Sequence, residues 1–141
     1  MRQLVWKSGF EIGIAEIDRQ HKLLFTYLNE GLAHNTDTAG IFDKLKAYAG
    51  EHFAGEEKLM RKIDYPGLEG HLRQHRLFEE QMEHLEKALE KSEKQTIITL
   101  VSFLKNWFLE HILVEDTNYA NFMRATLDEE DITLLVAFGY E

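Results

Sequence analysis

Three short motifs in this chain carry metal-ligand chemistry: His52-Phe-Ala-Gly-Glu56, His71-Leu-Arg-Gln-His75 and His111-Ile-Leu-Val-Glu115-Asp116. Four residues on a helix turn about 400°, which sets two side chains one turn apart on one face, close enough to share an ion. That spacing pairs His52 with Glu56 and His71 with His75. In the third motif it selects Glu115, because five residues turn about 500° and leave Asp116 roughly 140° away from His111. Any one pair says little, since a lone histidine on a mixed face more often makes an ordinary hydrogen bond. Their placement along the chain says more.

The elements that must position them are helices. Proline occurs once, at Pro66, and glycines concentrate near 9–13, 31–40, 50–55 and 67–70. Between these breaks apolar residues recur at helical spacing. The spacing predicts helices over about 18–33, 40–63, 68–91 and 94–123, the first opened by Asp18 as N-cap. Leu24, Phe25 and Leu28 mark the inward face of the first, and Asp64-Tyr65-Pro66-Gly67 is a turn that stops the second. Four helices with short connections and no evident strand predict an all-α protein, an antiparallel up-down-up-down four-helix bundle. The first residues form an N-terminal arm whose Trp6 and Phe10 pack on the bundle. The acidic run 128–131 reads as a solvated first turn of a short C-terminal helix reaching 138. The 141 residues are expected to form a single domain, 1–141.

In such a bundle the starts of helices one and three share an end with the finishes of two and four. His21, His71 and His75 lie near starts, while His52, Glu56 and His111 lie toward finishes. All four helices therefore bring ligand-type residues to one level of one core. An apolar interior cannot hold them without partners, because each unpaired buried polar group costs several kcal/mol, roughly 2–7. A metal centre resolves that cost.

Composition narrows the alternatives. The formal charge of −9 speaks against nucleic acid and anionic membrane as partners. The absence of cysteine excludes disulfides, thiolate metal sites and a cysteine nucleophile, and it fits a cytoplasmic location. The opening MRQLVWKSGFEIG has no apolar h-region, so no signal peptide is expected. The longest apolar run, 132–138, is too short for membrane insertion.

Counting donors then points to the metal. Five imidazoles and two carboxylates exceed what one tetrahedral zinc takes, and oxygen-only calcium or magnesium sites do not use this much histidine. Two six-coordinate ions would take all of them, with both carboxylates and an oxide or hydroxide bridging, and would leave one position open. Mixed imidazole and carboxylate donors suit iron.

With that count the sequence resembles hemerythrin, in its single-domain bacterial form. The matching pieces are Trp6, Gly13, Ile17-Asp18-Arg19-Gln20-His21-Lys22, the stretch from His52 to Met60, Tyr65-Pro66 before His71-x-x-x-His75, and Trp107-x-x-x-His111-Ile112 leading to Asp116. The resemblance implies a metal set of His21, His52, Glu56, His71, His75, His111 and Asp116, with Glu56 and Asp116 bridging two irons. It implies that His71, His75 and His111 belong to one iron and that His21 and His52 belong to the other, which keeps the vacancy. Dioxygen would bind there reversibly as hydroperoxide, in an oxygen pocket of Leu24, Phe53, Trp107, Ile112 and Phe108. Nitric oxide, which is neutral, and azide and other small anions are further expected ligands.

The expected function is therefore storage, transport or delivery of oxygen, not enzymatic turnover. The alternatives are a sensor module for oxygen, nitric oxide or redox state, signalling through the segment 131–140, and a di-iron peroxidase or nitric oxide-processing enzyme. His34 and His84 are expected on the surface, and Glu57, rotated about 100° from Glu56, as a solvated acid. Seven residues beyond His111 stands polar Asn118, whereas seven beyond Asp116 stands Met123. If Asp116 is the ligand, the helix must gain about one residue of slack between 111 and 116, as a π-type bulge would supply.

Overall fold

The computed structural model describes residues 5–34 and 38–139, without the side chains of Leu28, residues 30–34 and residues 137–139. Leu28 on the first apolar face, the surface reading of His34, the loop at 35–37 and Tyr140 of the C-terminal segment lie outside this description. Among the described residues five helices follow a short 3₁₀ turn at Ser8–Phe10: α1 (Ala15–His34), α2 (Thr38–Lys62), α3 (Leu68–Ala88), α4 (Glu93–Thr126) and α5 (Glu129–Gly139). No strand occurs among the described residues. Helices adjacent in sequence pack side by side from α1 to α4, which is the expected bundle.

The termini show which local signals acted. Ser92 caps α4, its Oγ accepting the Gln95 N–H at 3.2 Å. Asp128 does the same for α5, accepting from Asp131 N at 2.8 Å. After α2 the chain turns through Asp64, whose φ of 52° is left-handed, a conformation that Asp tolerates better than most residues. Asp18 is not the N-cap expected of it. Helix α1 begins three residues earlier, and Asp18 is buried within its first turn. Its carboxylate instead accepts from Ile12 N at 2.8 Å and Gly13 N at 3.2 Å, fastening the arm to the bundle. Gly13 has a φ of 93°, which allows the sharp turn that presents both amides.

Two apolar clusters flank the level where the histidines lie. One contains Phe42, Leu45, Phe78, Met82 and Leu100, and onto it the arm lays Trp6 and Phe10. The other contains Ile17, Leu59, Met60, Tyr119 and Met123, closed by Ile132 and Val136 of α5. By length and apolar content α4 could also cross a bilayer, a property hidden from a search for uninterrupted apolar runs. Its His111 and Asp116 are buried, however, and it packs on α3 within the bundle.

The middle of α4 departs from α-geometry. Phe108–Asp116 is π-helical, continuous with α-helix on both sides. Five residues close a turn there, so His111 and Asp116 share a face. Asp116 is fully buried and Glu115 half-exposed.

Candidate metal centre

The seven expected ligand residues meet between the two apolar clusters, and each is at most 5% exposed. Glu56 Oε1 lies 3.2 Å from His52 Nε2, 3.4 Å from His75 Nε2 and 4.0 Å from His71 Nε2. Asp116 divides its oxygens: Oδ2 is 3.1 Å from His21 Nε2, while Oδ1 is 3.1 Å from His71 Nε2 and 3.2 Å from His111 Nε2. Two donor clusters result. Glu56, His71, His75 and His111 form one, and His21, His52, Glu56 and Asp116 form the other, with ligand atoms within 4.8 Å of one another in each. Both carboxylates thus reach histidines of both clusters.

These contacts are not hydrogen bonds. The Nε2 atoms of all five histidines and both oxygens of Glu56 and of Asp116 are buried without a hydrogen-bond partner. Buried polar atoms are nearly always paired, so so many orphans aimed inward need a common partner. A pair of cations satisfies nitrogen lone pairs and carboxylate oxygens together, and the residues present fit a di-iron centre. Electrostatics agree. Burial pushes the Glu56 carboxyl up and Asp116 adds to that, but the histidines led by His52 outweigh both and hold it far below its ordinary value. Burial likewise opposes ionisation of Asp116, and His111, His21 and His71 override it.

Three histidines are held from behind. His52 Nδ1 is 2.6 Å from Gln20 Oε1, His111 Nδ1 is 2.6 Å from Gln74 Oε1, and His75 Nδ1 is 3.0 Å from Glu57 Oε2. An amide oxygen or carboxylate can only accept, so each Nδ1 carries the proton and each Nε2 keeps its lone pair toward the centre. Aromatic rings fix the same imidazoles. Phe53 stacks on His75 at 3.8 Å, Trp107 on His111 at 4.1 Å and Tyr48 on His52 at 5.4 Å.

Glu57 is therefore not the solvated acid expected. It faces α3, and its side chain, 24% exposed, orients His75. Sequence reasoning missed Gln20 and Gln74 altogether. A signal was present, since Arg-Gln-His occurs twice, at 19–21 and 73–75. In each copy the glutamine beside one ligand supports a ligand on the neighbouring helix. His84 is exposed, as read from the sequence.

Beside the centre lies a narrow chamber of about 10 Å³. That is room for one small guest. Leu24, Phe53, Trp107 and Ile112 line it, joined by Tyr48, Ala49 and Phe78, and it touches His52, His111 and Asp116. Phe108 is not among its walls. One position past Trp107, it turns toward the arm and meets Phe10 and Phe25 at 4.8 Å each and Trp6 at 5.8 Å. The hydroxyl of Tyr48 donates to the Gln20 carbonyl.

Comparison with known proteins agrees with this geometry. Residues 12–122 match the hemerythrin family, described as the Hemerythrin HHE cation binding domain. A bacteriohemerythrin of Clostridium acetobutylicum is 34% identical over 125 residues, covering 82% of this chain and 97% of the relative. One from Stenotrophomonas maltophilia is 30% identical over 134 residues, 92% of this chain and 87% of the relative. The myohemerythrin of Riftia pachyptila is 29% identical over 115 residues, 82% and 89% of the two chains. Ligand set, bundle and similarity lead to one assignment: the chain belongs to the hemerythrin family of di-iron, oxygen-binding proteins, which are not enzymes.

Proposed function

We propose that this chain stores and delivers dioxygen in the cytoplasm, taking it reversibly into the chamber beside His52, and that residues 1–141 act as one domain. In this reading His71, His75 and His111 would hold one iron, His21 and His52 would hold the other, and Glu56 and Asp116 would serve both. An iron pair held there would supply the electrons that dioxygen binding requires.

The chamber itself is the observation that carries the reading. Leu24, Phe53, Trp107 and Ile112 make its walls largely apolar, and the space beside His52 suits one small diatomic guest such as dioxygen or nitric oxide. Dry walls favour release of the guest unchanged over its reduction. Reduction would also need a proton donor. Tyr48 is the one hydroxyl on the chamber among the described residues, and it is spent on the Gln20 carbonyl. Burial raises its pKa well above the ordinary value, with Glu56 and Asp116 adding to the effect, so it is a poor acid. The glutamines and Glu57 keep three of the imidazoles aimed with Nε2 toward the centre.

The test is optical. Iron-loaded, reduced protein exposed to air should gain a visible charge-transfer band that disappears under vacuum and returns with air through repeated cycles. Irreversible oxidation within the first cycle would overturn the storage reading.

A further inference from the structure

The chamber adjoins a surface cleft on each of two sides. Between α1 and α2 an outer cleft of about 190 Å³, lined by Arg19, Gln20, Leu23 and Glu51, shares Tyr48 and His52 with the chamber as common walls. Between α3 and α4 a larger groove of about 560 Å³ shares Phe78, Trp107 and His111 with it. The two histidines are tethered by Gln20 and Gln74 and are ligands of the centre, so neither can swing. One movable wall remains on each side, Tyr48 on the first and the Phe78–Trp107 pair on the second.

The two walls differ in what opening would disturb. Trp107 stacks on His111 and packs against Phe78 at 4.8 Å and Phe53 at 5.9 Å. Phe78 is in turn seated against Phe53 at 5.3 Å and Phe103 at 5.4 Å. Moving either ring outward unpacks a cluster and bares apolar surface to water. Tyr48 rests at the edge of the same apolar cluster and is held by its stack on His52, an edge contact with Tyr27 at 6.1 Å and one hydrogen bond to the Gln20 carbonyl. When its ring tilts into the outer cleft the hydroxyl exchanges that carbonyl for water, so the cost is mainly the stack on His52 and is smaller than unpacking the Phe78–Trp107 cluster.

We propose that Tyr48 is the gate through which small ligands enter and leave the chamber, latched shut by its hydroxyl on the main-chain carbonyl of Gln20. Oxygen and anions then pass between α1 and α2 and arrive beside His52, whereas the larger groove leads to a wall that stays closed. The inference rests on the reading of the chamber as a ligand site.

Tyr48→Phe keeps the ring and removes the latch. In the iron-loaded protein, stopped-flow rates of azide association and dissociation should both rise by about two- to tenfold, with the dissociation constant changed less than twofold. Tyr48→Leu should move both rates further in the same direction. Phe103→Ala, which loosens only the α3/α4 side, should leave them within twofold. A readout independent of binding is solvent exchange of the His52 Nδ1 proton in zinc-loaded protein, followed by NMR. Tyr48→Phe should accelerate it and leave the His111 Nδ1 proton unaffected. Unchanged azide rates in Tyr48→Phe, or acceleration by Phe103→Ala instead, would overturn the gate while leaving ligand binding intact. Should the unaltered protein bind no azide or dioxygen, the ligand-site reading fails, and the His52 exchange comparison decides the latch alone.

Discussion

His111 Nε2 and Asp116 Oδ1 lie 3.2 Å apart, although five residues of regular α-helix would turn them about 140° away from each other. The π-helical stretch Phe108–Asp116 brings them together and turns Glu115 toward the surface. The two acids therefore separate in function. Asp116→Asn should weaken metal affinity by more than about tenfold, since it removes a donor whose two oxygens face histidines of both clusters. Glu115→Gln should leave iron per chain unchanged. Elemental analysis after dialysis against a chelator measures both, and iron loss from Glu115→Gln would place the wrong acid in the centre.

Much of this was legible from residue types at helical spacing. His52 with Glu56 and His71 with His75 follow from the four-residue turn alone, and the bundle follows from where the apolar stripes break. HILVED did not follow, because the helical period selects Glu115. Only the resemblance, together with the shift of the apolar pattern from Asn118 to Met123, pointed to a local change of helix type. The supports of the histidines were less legible still. Gln20 and Gln74 reach across to neighbouring helices, and nothing in a one-chain periodicity tells which partner a polar residue beside a ligand will find. Phe108 was misplaced for the same reason: the arm, distant in sequence, draws its ring away from the chamber.

Those cross-helix supports carry their own prediction. Gln20→Leu and Gln74→Leu each leave one imidazole free to rotate and to change tautomer, with little change in side-chain volume. Metal affinity should fall by about 10–100-fold in each. The damage should be local, affecting the ion near His52 in the first case and the ion near His111 in the second. Competition with a chromogenic chelator gives the affinities, and wild-type values in both variants would show that the imidazoles are held by stacking alone.

The dryness of the chamber can be altered without touching a ligand. Leu24→Thr places a hydroxyl on a wall that is otherwise largely apolar and gives water a partner there. The lifetime of the oxygenated protein should shorten by about tenfold, an order of magnitude expected when a site that excludes water is wetted. Decay of the visible band in air-equilibrated buffer reports it, and an unaltered lifetime would mean that the chamber does not protect the guest.

The arm hangs on Asp18, and through Trp6 and Phe10 it also covers Phe25 and Phe108. Asp18→Ala strands the amides of Ile12 and Gly13 and should lower stability by about 1–3 kcal/mol. Trypsin should then cut at Lys7 well before the bundle is degraded. The optical spectrum of the metal-loaded protein should persist, because the ligands lie on the helices and not on the arm. A spectrum lost together with the arm would make the arm part of the centre.

Acid and base should act oppositely on the metal-free and metal-loaded protein. Burial lowers the pKa of His21 and of His75, but Asp116 for the first and Glu56 for the second outweigh it, so both values are raised. A raised histidine contributes stability that is complete below its unfolded pKa of about 6.5 and is lost as pH climbs through the folded value. Glu56 and Asp116 are depressed, so their contribution is complete above about pH 4 and is lost only as pH falls through their low folded values. The metal-free chain should therefore be most stable at about pH 4.5–6.5 and lose Tm toward pH 8. Iron requires the same imidazoles as free lone pairs, so protons compete with it and its added stability grows with pH. Thermal melts from about pH 4 to 9, with and without iron, should give curves that diverge upward in pH. A metal-free Tm that stays level from about pH 5.5 to 8 would mean that the carboxylates and histidines are not ion-paired in the absence of metal.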